Sequence, residues 1–167
     1  EKTFKVATDV RLSGRSLYHS SAAANTGPLP PRVDQATTYT AVWSITNTTS
    51  QATDTVVKAT LPIYMTWIGQ QSPANENITY NSGTREIIWQ PGNIAPKTGN
   101  GTSPREVQFK VSLTPSASQL NTSPVIVGAS TLSSRDNFTG ALLQKSWTVM
   151  KKQLTTNTES TAEEWLV

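Results

Sequence analysis

Between Thr37 and Pro62 the chain reads TTYTAVWSITNTTSQATDTVVKATLP. Tyr39, Ala41, Trp43 and Ile45 alternate with Thr38, Thr40, Ser44 and Thr46, the period-two pattern of a strand that turns successive side chains to opposite faces. A polar Asn/Thr/Ser/Gln stretch then predicts a turn, and the Val- and Thr-rich run after it predicts a second strand. The pair reads as two strands of a β-sandwich.

The same reading extends along the chain. Thr3–Leu12 is expected to be a first strand with Phe4, Val6 and Val10 as its apolar members, followed by a turn at Ser13-Gly14 and a short apolar patch at Leu17-Tyr18. Small residues and proline dominate SSAAANTGPLPPRVDQA, which predicts an extended connection crossing between sheets, because proline cannot donate to an inner ladder. Further strands are expected at Tyr64–Ile68, Ile78–Tyr80 and Arg85–Gln90, the last two joined by a tight loop at Asn81-Ser82-Gly83. PGNIAPKTGNGTSP predicts a long loop. Arg105–Thr114 alternates cleanly, Val107, Phe109, Val111 and Leu113 against Gln108, Lys110 and Ser112, which predicts one buried and one wet face. Pro124–Leu132 is apolar on both faces and is expected to lie centrally. The last strand, after a turn at Asn137–Thr139, is expected over Ala141–Lys151 with Leu143 and Trp147 in the core. Lysines such as Lys5 and Lys58, with the prolines, are expected to protect edge strands. Many short strands without a helical period indicate an all-β, Ig-like antiparallel β-sandwich. One domain is expected over 1–153, with a linker or tail over 154–167, where AEEWLV reads as a short helical turn or an appendage.

Composition narrows the class. Of the 167 residues, 35% are hydrophobic and 15% charged, against roughly 45–50% and about 25% in ordinary globular chains. Thr, Ser, Asn and Gln make up the difference, a polar but weakly charged surface that suits an extracellular or cell-surface β domain. The net charge of +3 sets 14 basic residues against 11 acidic ones, and the basic residues are scattered, the tightest group being Lys145, Lys151 and Lys152. Nucleic-acid binding needs a concentrated positive field, so no nucleic-acid partner is expected. The chain has no cysteine, which excludes disulfides, thiolate metal sites and cysteine nucleophiles. No run reaches the apolar length of a membrane span. Starting in mid-pattern with KTFKVATDVRL, the sequence reads as a piece of a longer protein whose export signal and anchor lie outside it, so membrane attachment is expected only through that anchor.

The order of these segments resembles the conserved repeat domain of prokaryotic cell-surface proteins, over Gly27 to about Gly140. The matching positions are Tyr39, Thr40, Asn47, Thr48, Leu61, Pro62, Trp89 and Val107 to Leu113. GPLPPRV, KATLP, SPREVQF and SLTPSASQL are similar to a longer variant found in large membrane-anchored bacterial surface proteins. The resemblance implies an Ig-like or adhesin-like sandwich serving as a structural, stalk or adhesion module. Its implied partners are neighbouring surface domains, or a surface protein or glycan of a host or partner cell. Ala59 stands where many members carry Asp, a departure that weakens the case for an acidic cation site at that loop.

Chemistry-bearing residues are few. His19 is the one histidine, set among small residues with no nucleophile-elbow pattern, and reads as a surface residue. Asp9, Asp34, Asp54, Glu76, Glu86, Glu106 and Asp136 are well separated, which gives no calcium loop and no expected cofactor. Glu86 and Glu106 could face each other across strands as a glycosidase pair would, but each follows an arginine and fits cross-strand charge pairing better. Lys5 with Asp136 or Asn137 is a candidate isopeptide pair, weighed against a Lys5 that points to solvent between inward Phe4 and Val6. Trp43, Trp67, Trp89 and Trp147 fall in strand patterns and suit core packing, whereas Tyr64 and Trp67 flank a loop and are the candidate exposed pair for stacking on a sugar. The Asn-x-Thr/Ser sequons follow from composition. The expected function is a noncatalytic structural or adhesive module of a bacterial surface protein; the competing reading is a glycan- or surface-polymer-binding module.

Overall fold

The computed structural model describes residues 4–19, 21–151 and 167. It is an Ig-like, all-β antiparallel sandwich. Its strands are β1 (Val10–Leu17), β2 (Thr37–Asn47), β3 (Ala52–Thr60), β4 (Met65–Ser72), β5 (Ile78–Asn81) and β6 (Glu86–Ile94). They continue with β7 (Arg105–Leu113), β8 (Val125–Val127), β9 (Ser130–Asp136), β10 (Leu142–Trp147) and β11 (Met150–Lys151). One sheet has the order β1-β2-β7-β4, the facing sheet β10-β9-β3-β6-β5, and β11-β8 form a separate ribbon.

The registers place the alternating apolar residues in one interior. Leu12 lies opposite Ile45, Trp43 opposite Val107, Ala41 opposite Phe109 and Tyr39 opposite Val111, while Val57, Ile87, Trp89 and Leu132 face them from the second sheet. Trp43 and Trp89 meet across the interior with ring centroids 6.3 Å apart and planes 14° from parallel. Indole N–H groups this deep need acceptors. Trp43 Nε1 donates to Ser130 Oγ at 3.0 Å and Trp89 Nε1 to Glu76 Oε2 at 2.8 Å.

The first strand starts later than the alternation predicts. β2 ends at Asn47, opposite Val10, so residues before Val10 have no strand facing them. Phe4 and Val6 consequently stand 84% and 77% exposed. Ser13-Gly14 is the middle of β1, not a turn. A Cβ at Gly14 would lie 2.7 Å from Met150 Cε and 3.1 Å from Trp147 Cδ1, so the missing side chain lets the C-terminal strands pack on β1.

The Pro-rich connection joins two neighbouring strands of one sheet and does not cross between sheets. It folds back over their outer face. Ala22 N–H donates to Gln108 Oε1, Lys110 Nζ to the Ala24 carbonyl at 2.6 Å, and Thr38 N–H to the Thr26 carbonyl. The expected wet face of β2 and β7 is therefore covered: Thr40, Val42, Ser44 and Ser112 are buried, and Lys110 is 8% exposed.

Two long strands prove to be divided. Pro124–Leu132 breaks at Gly128, whose N–H bonds the Thr60 carbonyl and where a Cβ would lie 2.7 Å from that oxygen. β8 consequently pairs with β11, and only β9 is central, between β3 and β10. Ala141–Lys151 divides into β10 and β11. Conversely β6 runs through Pro91-Gly92, because β5 ends its pairing at Trp89 and leaves Pro91 at an edge where no donor is needed. Lys58 lies on central β3, paired with Glu86 at 3.9 Å, rather than at an edge. Of the expected tail, only Val167 falls within the described residues; it bonds the backbone of Asn121 and Thr122.

Asn47, the last inward position of β2, is fully buried and joins four segments. Its Nδ2 donates to the carbonyls of Ser50 (2.8 Å), Ile94 (3.0 Å) and Ala95 (3.1 Å), and its Oδ1 accepts from Thr8 Oγ1 at 2.7 Å. Asn47→Ala strands those groups and is expected to lower the unfolding free energy by about 2–4 kcal/mol. Urea denaturation checks this as a lower midpoint at unchanged slope.

Candidate functional site

At the pole where residue 4 is found, the β9–β10 turn, the β2–β3 turn and the segment before β1 converge. Asp136 ends β9 pointing inward, as Ser130, Leu132 and Ser134 do before it. Its Oδ1 accepts from Ser50 Oγ and from the Phe138 N–H at 3.2 Å; its Oδ2 accepts from the Thr139 N–H at 3.3 Å and Thr139 Oγ1 at 2.5 Å. Burial alone would push this carboxyl up, but the hydroxyls of Ser50 and Thr139 and the two backbone N–H groups outweigh it and hold the pKa at about 2. Such a carboxylate is ionised and fully hydrogen-bonded.

Lys5 reaches the same corner but is directed elsewhere. It is not held between inward Phe4 and Val6, since neither points inward; its Nζ lies over the Phe138 ring, 5.0 Å from the centroid. Asn137 is exposed and its N–H bonds the Gln51 carbonyl. Phe4, Val6, Phe138 and the Thr48–Ser50 turn line a shallow groove beside them.

The candidate sugar-stacking pair lies at the side where edge strands β4 and β5 approach. Trp67 is half-buried, stacked on Tyr80 at 5.5 Å and 16° and tilted against Phe109 at 5.3 Å. Tyr64 also packs partly against the core, where burial pushes its phenol pKa up against a hydrogen bond with the Val125 backbone. Trp147, expected in the core, is instead 37% exposed on the opposite side, its Nε1 donating to the Gly14 carbonyl at 3.1 Å. Each open side of the sandwich is thus closed by a tryptophan.

The remaining acids are held apart. Glu86 and Glu106 lie in opposite sheets at positions that alternate with inward Ile87 and Val107, so they occupy opposite outer faces and cannot flank one bond. Glu106 pairs with Arg15 at 3.2 Å and Glu76 with Arg105 at 2.8 Å. Arg85 forms no ion pair with its neighbour; its guanidinium donates to the carbonyls of Leu61, Pro62 and Met65. Asp9 receives Arg11 at 2.7 Å and Lys145 at 3.1 Å, and these two cations hold its carboxyl below the usual range. His19 stands edge-on to Tyr18, 4.9 Å between centroids.

Sequence reasoning missed Asn47, Thr8 and Gly14. Parity would have found two of them: Asn47 continues the inward series Tyr39, Ala41, Trp43, Ile45, and Gly14 continues Val10 and Leu12.

No family model and no curated protein matches the chain. Among solved structures it is similar to the full-length major pilin SpaD from Corynebacterium diphtheriae, over 86% of this chain and 35% of that one, at 8% identity and a TM-score of 0.51. BcpA, the major pilin subunit of Bacillus cereus, is similar over 86% of this chain and 39% of its own, at 12% identity and a TM-score of 0.47. The GH20 exo β-N-acetylglucosaminidase of Vibrio harveyi is similar over 82% and 17%, at 9% identity and a TM-score of 0.41. The chain spans less than half the length of each of these proteins. At these identities the likeness to SpaD is one of fold.

Two outcomes are expected. Asp136 has a folded pKa of about 2 against an ordinary 3.8, so its contribution to stability is complete above about pH 4 and is lost as pH falls through the folded value. Asp136→Asn should therefore lower stability at neutral pH and lose less of it on acidification than the parent chain, read by thermal melts across that window. The intact mass should equal that of the uncrosslinked chain; loss of ammonia or water from a peptide joining Lys5 to Asp136 or Asn137 would show the isopeptide instead.

Proposed function

We propose that the chain is a noncatalytic structural and adhesive module of a bacterial, membrane-anchored cell-surface protein, extracellular and linked to the membrane by an anchor outside this chain. The observation that carries this reading is the path of the polypeptide. The described chain enters β1 at the pole formed by Val10, Asn47 and Asp136, and leaves β10 and β11 at the pole formed by Leu17, Thr37 and Ser130. A module that admits its chain at one end and releases it at the other holds what precedes and follows it a fixed distance apart. The fold likeness to the major pilin SpaD supports the same reading. Its partners are neighbouring surface domains, and surface proteins or glycans of a host or partner cell met by its loops.

An antibody against the folded chain should label intact cells of the source organism as strongly as permeabilised ones. Labelling only after permeabilisation would overturn the surface reading. Saturable binding on a glycan array, abolished by Trp67→Ala in a folded protein, would put the glycan-binding alternative, with Tyr64 and Trp67 as its contacts, in place of the spacer.

A further inference from the structure

β1, with the residue that precedes it, lies beside β10 and β11, each in a different sheet, and is tied directly to both. Trp147 Nε1 donates to the Gly14 carbonyl at 3.1 Å, Ser16 Oγ to the Lys151 carbonyl at 2.8 Å, and Lys145 pairs with Asp9 at 3.1 Å. β1 is eight residues long and matches β2 without a register shift; β10 is six residues long and matches β9 in the same way. From these placements we infer that the module bears tensile load, entering at its N-terminus and leaving at its C-terminus, as shear along β1 and β10.

Hydrogen bonds of an antiparallel ladder lie perpendicular to the strands. Tension applied along a strand loads the whole ladder at once, whereas tension applied across its end opens the bonds one after another. Pulled at its N-terminal end, β1 is drawn along its own axis out of the pole marked by Val10 and Asn47. Pulled at its C-terminal end, β10 is drawn along its axis out of the opposite pole, where Trp147 pairs with Ser130. Both ladders therefore resist in shear, and the Trp147–Gly14 and Lys145–Asp9 ties between the two strands are stretched along the same axis. The two backbone bonds of Val167 to Asn121 and Thr122, and then β11, two residues long, yield before these clamps and leave them in place. The buried Thr8–Asn47 hydrogen bond adds a further anchor where load reaches β1.

The chain lacks cysteine, so attachment points can be set one at a time. Ser103 is exposed in the loop before β7, whose first residue Arg105 pairs with Ile45 near the Val10 pole. Handles on the two chain ends load β1 in shear. Handles on the N-terminus and on Ser103→Cys pull β1 away from β2 at its Val10 end and peel the ladder. In single-molecule force spectroscopy at one loading rate, the end-to-end geometry should require at least about twofold more force than the peeling geometry. An equal thermal midpoint for Ser103→Cys and the parent chain shows that only the direction of pulling differs. Equal forces, or a higher force for peeling, would overturn the inference. The cellular role of this load path rests on the spacer reading, but the two fail separately: antibody labelling only inside cells removes the role and leaves the force anisotropy, and absent anisotropy removes the load path whatever the location.

Discussion

The stacked indoles of Trp43 and Trp89 are the constraint around which the sandwich is arranged. The two rings carry the largest buried side chains of the fold and meet across the gap between the sheets. An aromatic pair of this kind contributes about 0.5–1.5 kcal/mol beyond the area it buries, but its demands matter as much as its gain. Each N–H must be answered inside the core, which fixes a polar atom at a set place in the opposite sheet or a loop. Ser130 answers Trp43 and so sets where β9 begins. Glu76 answers Trp89, and Arg105 at the start of β7 answers Glu76. One hydrophobic contact thereby fixes the β4–β5 turn and the register of a strand in the other sheet.

Closing the two sides and the outer face takes different means. Where β4 and β5 approach, flat rings fill the gap, Trp67 on Tyr80. Where β1 and β10 approach, Trp147 needs the vacancy at Gly14, so the smallest residue and one of the largest are placed together. The connection over 21–36 covers the four-stranded sheet from outside and meets Lys110 with a carbonyl rather than a carboxylate. Asn25 holds the connection by donating to the carbonyls of Leu17 and Tyr18. β2 thus lies buried on both faces, which explains Val42 among the residues otherwise alternating as polar.

Alternation made the strands legible in the sequence because a period of two is a local property. It revealed β2 and β7 nearly to their ends, and it placed Trp43, Trp89 and Phe109 in the core. What it could not reveal depends on segments distant in the chain. Phe4 and Val6 alternate as strand residues do, yet the strand they would pair with has already turned at Asn47. Gln108, Lys110 and Ser112 alternate as a wet face does, yet the connection over 21–36 lies above them. Trp147, expected in the core, stands 37% exposed, and Trp67 is half-buried, because neither pattern says which edges meet. Asn47 and Gly14 are instructive in the other direction: their parity marks them as inward, and their residue types drew them into turns when read by composition.

The disposition of charge explains why the described residues of so polar a chain bring together so little convergent chemistry. Glu106 reaches from β7 to Arg15 on β1, Glu76 ties the β4–β5 turn to β7, Asp9 ties the entry of β1 to β10, and Asp136 gathers two turns around one carboxylate. A catalytic or metal-binding acid needs a free lone pair directed at a ligand or substrate. These carboxylates have their oxygens directed at other segments of the chain instead, and each bond joins parts that the core alone does not hold in register. Acids used in this way hold neighbouring segments of the sandwich to one another rather than opening toward a ligand.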